Sequence, residues 1–147
     1  MEMIMDRDLQ KAVSMLEGEY TCVLCRGDLV LTTTARGVRP LLQWLDSGTD
    51  TRDFCAADRV VGRGAAFLYR LLGVKAVYAR VMSEPAVQVL AQGNILACPQ
   101  QVVPGIINRK GDGPCPFEAA VMDIQEPEKA LEAIREKMRL LSLQKGN

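Results

Sequence analysis

Val74-Lys75-Ala76-Val77-Tyr78-Ala79-Arg80-Val81-Met82-Ser83-Glu84-Pro85-Ala86-Val87-Gln88-Val89-Leu90-Ala91-Gln92-Gly93-Asn94-Ile95-Leu96-Ala97-Cys98 reads as strand, helix, strand, and that order decides the fold. Residues 74–82 are a near-continuous apolar, β-rich run of the kind found in a strand covered on both faces. Ser83 suits a helix N-cap and Pro85 suits the first turn, so a helix is expected over 85–90, with Gly93 as its stop. Residues 94–98 make a second short strand. A strand, helix and strand in succession form a βαβ unit, which implies a parallel pair with helices packed against the sheet.

Working outward, residues 57–72 place Ala57, Val60, Val61, Ala65, Leu68 and Leu72 on one helical face, with Gly73 after them. Upstream, 20–25 and 29–34 are β-rich runs around Arg26-Gly27-Asp28, which predicts a hairpin. Residues 8–16 carry an amphipathic helical pattern ending at Gly18, and 40–45 a short helix opened by Pro40. Residues 49–53 read as a loop. Downstream, 101–108 fit no element, 109–113 form a glycine-rich polar loop, 116–122 start a helix at Pro116, and 128–141 show a long amphipathic helix. The pattern gives a single α/β domain over residues 1–147.

Composition narrows the function classes. The 147 residues include 18 Lys+Arg against 18 Asp+Glu, so the formal charge is zero, and no basic run is interleaved with aromatics. Nucleic-acid binding by phosphate neutralisation needs a concentrated basic surface and is not expected. No segment approaches the roughly 20 apolar residues that span a bilayer. The acidic start of the chain lacks the basic region and apolar stretch of a signal peptide, so a cytoplasmic protein without membrane association is expected. Five cysteines, an odd number, fit free thiols better than a disulfide framework. Cys22-Val23-Leu24-Cys25 has the spacing of a redox or zinc motif, but in a strand the two thiols point to opposite faces, and they read as core residues.

The chain has no histidine, which removes the commonest general base and metal ligand. Three clusters nevertheless stand at predicted helix starts, where unpaired N–H groups favour anions. In 57–66, Asp58 suits an N-cap, while Gly62 lets a ligand approach the backbone and Arg63 offers a cation. In Ser83-Glu84-Pro85, at the end of a parallel strand, Ser83 suits the cap and Glu84 could accept from a sugar hydroxyl or a base amino group. In 108–118, Asn108 and Arg109 lead into Cys115 and Pro116, where the helix start could lower the Cys115 thiol pKa and Glu118 complements the dipole.

The chain resembles a family of uncharacterised bacterial and archaeal proteins with the cytidine-deaminase-like fold. The resemblance rests on Ala57-Asp58-Arg59-Val60-Val61-Gly62-Arg63, Val77-Tyr78-Ala79, Ser83-Glu84-Pro85-Ala86, Ile106-Ile107-Asn108-Arg109 and Cys115-Pro116-Phe117-Glu118. It implies a three-layer α-β-α arrangement with a mixed sheet. Zinc deaminases carry a His or Cys followed by Ala-Glu at one helix start and a Pro-Cys-x-x-Cys motif at the next. By order of elements, Val61-Gly62-Arg63 falls near the first position and Ser83-Glu84-Pro85-Ala86-Val87 near the second. Neither supplies zinc ligands, and Arg63 stands about where the proton-shuttling Glu would be. Pro114-Cys115-Pro116 looks like the Pro-Cys pair but comes one βα unit late. The resemblance therefore implies no metal and no cofactor.

Three readings follow. In the first, a zinc-free, deaminase-like pocket binds a nucleotide-like or phosphorylated small molecule through Asp58, Gly62, Arg63, Ser83, Glu84, Asn108 and Arg109. In the second, helix faces, above all the Leu140, Leu141 and Leu143 end of the last helix, make a homo-oligomer or other assembly. In the third, Asp58, Glu84 or Cys115 is the nucleophile of a transferase or hydrolase.

Overall fold

A computed structural model describes residues 6–108 and 110–145. Its element order is α1 (Arg7–Leu16), β1 (Cys22–Arg26), β2 (Leu29–Thr33), α2 (Arg39–Ser47), β3 (Cys55–Val61), α3 (Arg63–Leu72), β4 (Ala76–Ser83), α4 (Glu84–Gln92), β5 (Leu96–Val103), α5 (Pro116–Ala120) and α6 (Pro127–Lys145). The five strands form one mixed sheet in the order β2-β1-β3-β4-β5. β1 is antiparallel to β2 and β3, whereas β3, β4 and β5 are mutually parallel. The expected βαβ unit is β4-α4-β5. The expected hairpin is β1-β2, closed by Gly27 at φ 59° and Asp28.

The two sheet faces bury different sets of residues. Val23, Cys25, Cys55, Ala57 and Ala76 pack with Leu9, Ala12 and Leu16 of α1. Cys22, Leu24, Ala56, Val77 and Ala79 pack with α2, α3, α4 and α6 in the larger core, which includes Leu41, Phe67, Tyr69, Val89 and Ile134. Alternation along β1 therefore sends Cys22 and Cys25 to opposite faces, as the period-2 argument requires. Among the described residues, no helix is long and apolar enough to cross a membrane.

One expectation is overturned. Residues 57–61 belong to strand β3 and not to a helix over 57–72; the helix starts at Arg63, after Gly62 in an extended conformation (φ −97°, ψ −177°). Cys55, Ala56 and Ala57 are all buried because β3 lies mid-sheet between α1 and α3. A strand covered on both faces loses its alternating pattern, and its apolar positions then mimic a helical stripe. Asp58 is consequently a strand residue and not an N-cap. The other differences are of extent: β5 continues to Val103 through part of the unassigned 101–108, α5 stops at Ala120, and α6 runs to Lys145.

Candidate functional site

The starts of α3 and α4 lie side by side because β3 and β4 are parallel neighbours, with Val61 opposite Met82. Their free N–H groups should attract an anion. The chain supplies that anion itself. Glu118, from the first turn of α5, is 4% exposed. Its Oε2 accepts from the Arg63 backbone N–H at 2.8 Å and from the Ser83 hydroxyl at 2.5 Å. Its Oε1 accepts from the Ile106 backbone N–H at 2.6 Å. Ser83 is fully buried and also caps α4, accepting from the Ala86 N–H at 3.2 Å. Gly62 leaves close space behind this carboxylate, since a Cβ there would stand 3.1 Å from Glu118 Oε2 and from the Ile106 side chain and would push both back by a few tenths of an ångström.

Arg63, 7% exposed, turns away from its own helix start. Its Nε donates to the Val121 carbonyl at 2.9 Å, a terminal guanidinium nitrogen donates to the Ile124 carbonyl, and the guanidinium carbon lies 5.1 Å from the Phe67 ring centre. The side chain thus ties the α5–α6 connection to α3. Both of its guanidinium hydrogen bonds therefore go to carbonyls of the chain, while the residue also lines the recess described next.

Above Glu118 and Arg63 opens a recess of about 380 Å³, rimmed by Pro85, Gln88, Pro104, Gly105, Ile106, Pro114, Met122 and Gln125. Each carboxylate oxygen has two acceptor positions. Oε2 uses both on Arg63 and Ser83, whereas Oε1 uses one on Ile106, leaving one acceptor position that no described residue fills. A second, more open recess of about 440 Å³ adjoins across Gln88 and is bordered by Glu84, Val87, Pro99 and Val102.

Of the residues singled out from sequence, the structure gathers Gly62, Arg63 and Ser83 around Glu118, and places exposed Glu84 at the neighbouring recess. Asp58 belongs to a separate network: it accepts from Tyr69 Oη at 2.6 Å and lies on β3 opposite Cys22. Asn108 is a loop staple. Its Oδ1 accepts from the Gly111 and Asp112 N–H groups, and its Nδ2 donates to Asp112. Arg109 lies outside the described residues. Cys115 is half-buried at the start of α5, a helix of only five residues, and its neighbour Pro114 reaches the recess. Glu118, the centre of the arrangement, is marked in the sequence only as an acid in a first turn.

The remaining thiols are poor nucleophiles. Burial pushes Cys22 well above the ordinary thiol range, Cys55 up to about 12, and Cys25 and Cys98 upward as well. Alkylation of the native protein is therefore expected first at half-buried Cys115, more slowly at half-buried Cys98, and at Cys22, Cys25 and Cys55 only after unfolding. Peptide mass spectrometry after timed labelling checks this; early labelling of Cys22 would contradict the packing. Among the described residues, no group of three or more Cys, Asp or Glu side chains could hold a metal ion.

The family model of a domain of unknown function, DUF1893 (TM1506), matches residues 11–138. The chain belongs to this family. A solved DUF1893 structure, TM1506 from Thermotoga maritima, superposes with a TM-score of 0.79 at 21% sequence identity, covering 92% of each chain. At that identity the likeness establishes a shared fold. No curated protein matches the chain. The DUF1893 match takes in β1 to β5, α5, Glu118 and every donor to it, so the self-ligated helix starts lie inside the family domain.

Proposed function

We propose that this DUF1893 chain is a zinc-free, deaminase-like domain that binds a small nucleotide-like molecule in the recess floored by Glu118. The observation that carries the reading is the acceptor position on Glu118 Oε1 that no described residue fills, in a carboxylate that is otherwise buried and satisfied. Gly105 leaves room beside that oxygen, because a Cβ there would stand 3.4 Å from it. The recess falls in the range of small-molecule sites, roughly 300–1,000 Å³, and its lining has their usual character of apolar walls with a few convergent polar groups. Pro85, Pro104, Pro114, Ile106 and Met122 suit the faces of a flat ring, and the Gln88 and Gln125 amides suit its polar edge or hydroxyls. Because the Arg63 guanidinium donates to two carbonyls of the chain, the reading puts a ring or hydroxyl edge, and not a phosphate, against Glu118.

A thermal-shift series of nucleosides, nucleotides and dinucleotides tests the reading. A ligand at a hundred times its dissociation constant adds about 2.7 kcal/mol of stability. At least one nucleoside or nucleotide is expected to raise the melting temperature, and Met122→Trp, which fills the recess from its exposed rim, is expected to abolish the rise. No shift from any compound, or a shift that Met122→Trp leaves intact, removes the proposal.

A further inference from the structure

A cluster of three titratable side chains lies away from the recess. The Tyr69 hydroxyl, fully buried on α3, stands 2.6 Å from Asp58 Oδ2 on β3 and 3.1 Å from Cys22 Sγ on β1. The Arg59 backbone N–H donates to Asp58 Oδ1 at 2.8 Å. Among the described residues, the neighbouring positions bring no cation. Ala79 of β4 lies directly opposite Asp58, and the Arg59 guanidinium is turned to the Tyr20 and Gly18 carbonyls. Tyr69 and Cys22 are the titratable groups that face Asp58 from α3 and β1.

We propose that half-buried Asp58 and the buried Tyr69 and Cys22 form a proton-sensing chain at the margin of the core, whose hydrogen bonds reverse direction when Asp58 takes up a proton, the protonated form being the more stable fold. With Asp58 ionised, the Tyr69 O–H donates to Oδ2 and the Cys22 S–H donates to the Tyr69 oxygen. With a proton on Oδ2, that O–H donates to Tyr69, the Tyr69 O–H donates to Cys22 sulfur, and the thiol proton turns away. The two bonds that reverse join α3 to β3 and α3 to β1, so the reversal is felt where sheet and helix meet.

Burial pushes the Asp58 carboxyl up to about 6, against the Tyr69 and Arg59 hydrogen bonds, which favour the ionised form. The folded protein therefore binds more protons than the unfolded chain between the ordinary value of 3.8 and about 6. Stability falls as pH rises through that window. In a chain without histidine, this carboxyl takes over the titration range that histidine usually occupies. The carboxylates held low by cations, Asp6 by Lys75, Asp46 by Arg135, Asp50 by Arg52 and Glu136 by Arg139, act with the opposite sign and at more acid pH.

Urea unfolding at pH 5 and pH 7.5 reads the device. The unfolding constant is expected to rise about tenfold from the lower to the higher pH, with Asp58→Asn removing the rise. In unmodified protein, the Asp58 carboxyl carbon shift, followed by NMR from pH 3 to 8, is expected to show a midpoint near 6. A wild-type stability that is flat or increasing over this interval, a slope that persists in Asp58→Asn, or an NMR midpoint below 4.5 overturns the proposal.

Discussion

Glu118→Ala is expected to destabilise the fold by about 4 kcal/mol, since three hydrogen bonds to a charged acceptor vanish and their buried donors are left unpaired. For a chain of this size that lowers the melting temperature by roughly 10–15 °C. The loss is structural because Glu118 joins four separate segments: the starts of α3 and α4, the stretch after β5, and α5 itself. The truncation also leaves a carboxylate-sized hole lined by the Arg63 and Ile106 N–H groups and the Ser83 hydroxyl. Formate or acetate is expected to enter it and recover part of the lost melting temperature, with chloride at matched ionic strength giving no such gain. Glu118→Gln is the informative control. It keeps the volume, so no hole exists for an added anion, yet its NH₂ group must face a donor. We expect a loss of about 2 kcal/mol without rescue. Calorimetry of the two variants with and without formate checks all of this. A Glu118→Ala protein as stable as wild type would show that the helix starts do not depend on an internal anion.

The parts of this fold that were legible in sequence are those whose signals are local. In β4-α4-β5, the apolar run, the Ser83 cap, Pro85 and the Gly93 stop all fall within one short stretch, and each does what its chemistry implies. The faces of Cys22 and Cys25 followed from strand alternation alone. β3 was misread because Ala57, Val60 and Val61 satisfy a helical spacing. Its strand character comes from burial between α1 and α3, which no local pattern records. The site shows the same division. Helix starts at Arg63 and Ser83 are foreseeable centres of positive potential, but their occupant is not. The partners of Glu118 lie 55, 35 and 12 residues away in sequence, and those of the Arg63 side chain 58 and 61 residues away. An arginine at a helix start invites a phosphate reading when its neighbours are known only along the chain. Once α5 folds back over α3, the carbonyls of Val121 and Ile124 claim it first.

Arg63→Lys separates these two roles of Arg63. The guanidinium fork reaches two carbonyls while lying over the Phe67 ring, whereas an ammonium is a compact, more strongly hydrated charge that cannot make the same planar contacts. The substitution is expected to cost about 2–3 kcal/mol, from the loss of charge-assisted bonds to Val121 and Ile124 at a site 7% exposed. Arg63→Met should keep more of the stem packing while losing both bonds, so its cost is expected to be similar although it carries no charge. In both variants the damage should be regional. Hydrogen exchange is expected to accelerate across residues 119–126, where the connection to α6 loses its tether, while β3, β4 and the rest of α3 remain protected by the large apolar core. A phosphate-binding arginine would behave otherwise: its lysine variant would melt with wild type and differ only in nucleotide affinity. Wild-type stability and exchange in Arg63→Lys would therefore return Arg63 to the ligand. Faster exchange at 119–126, with the core unchanged, would fix it as the tether that holds the recess wall, carrying Met122 and Gln125, against α3.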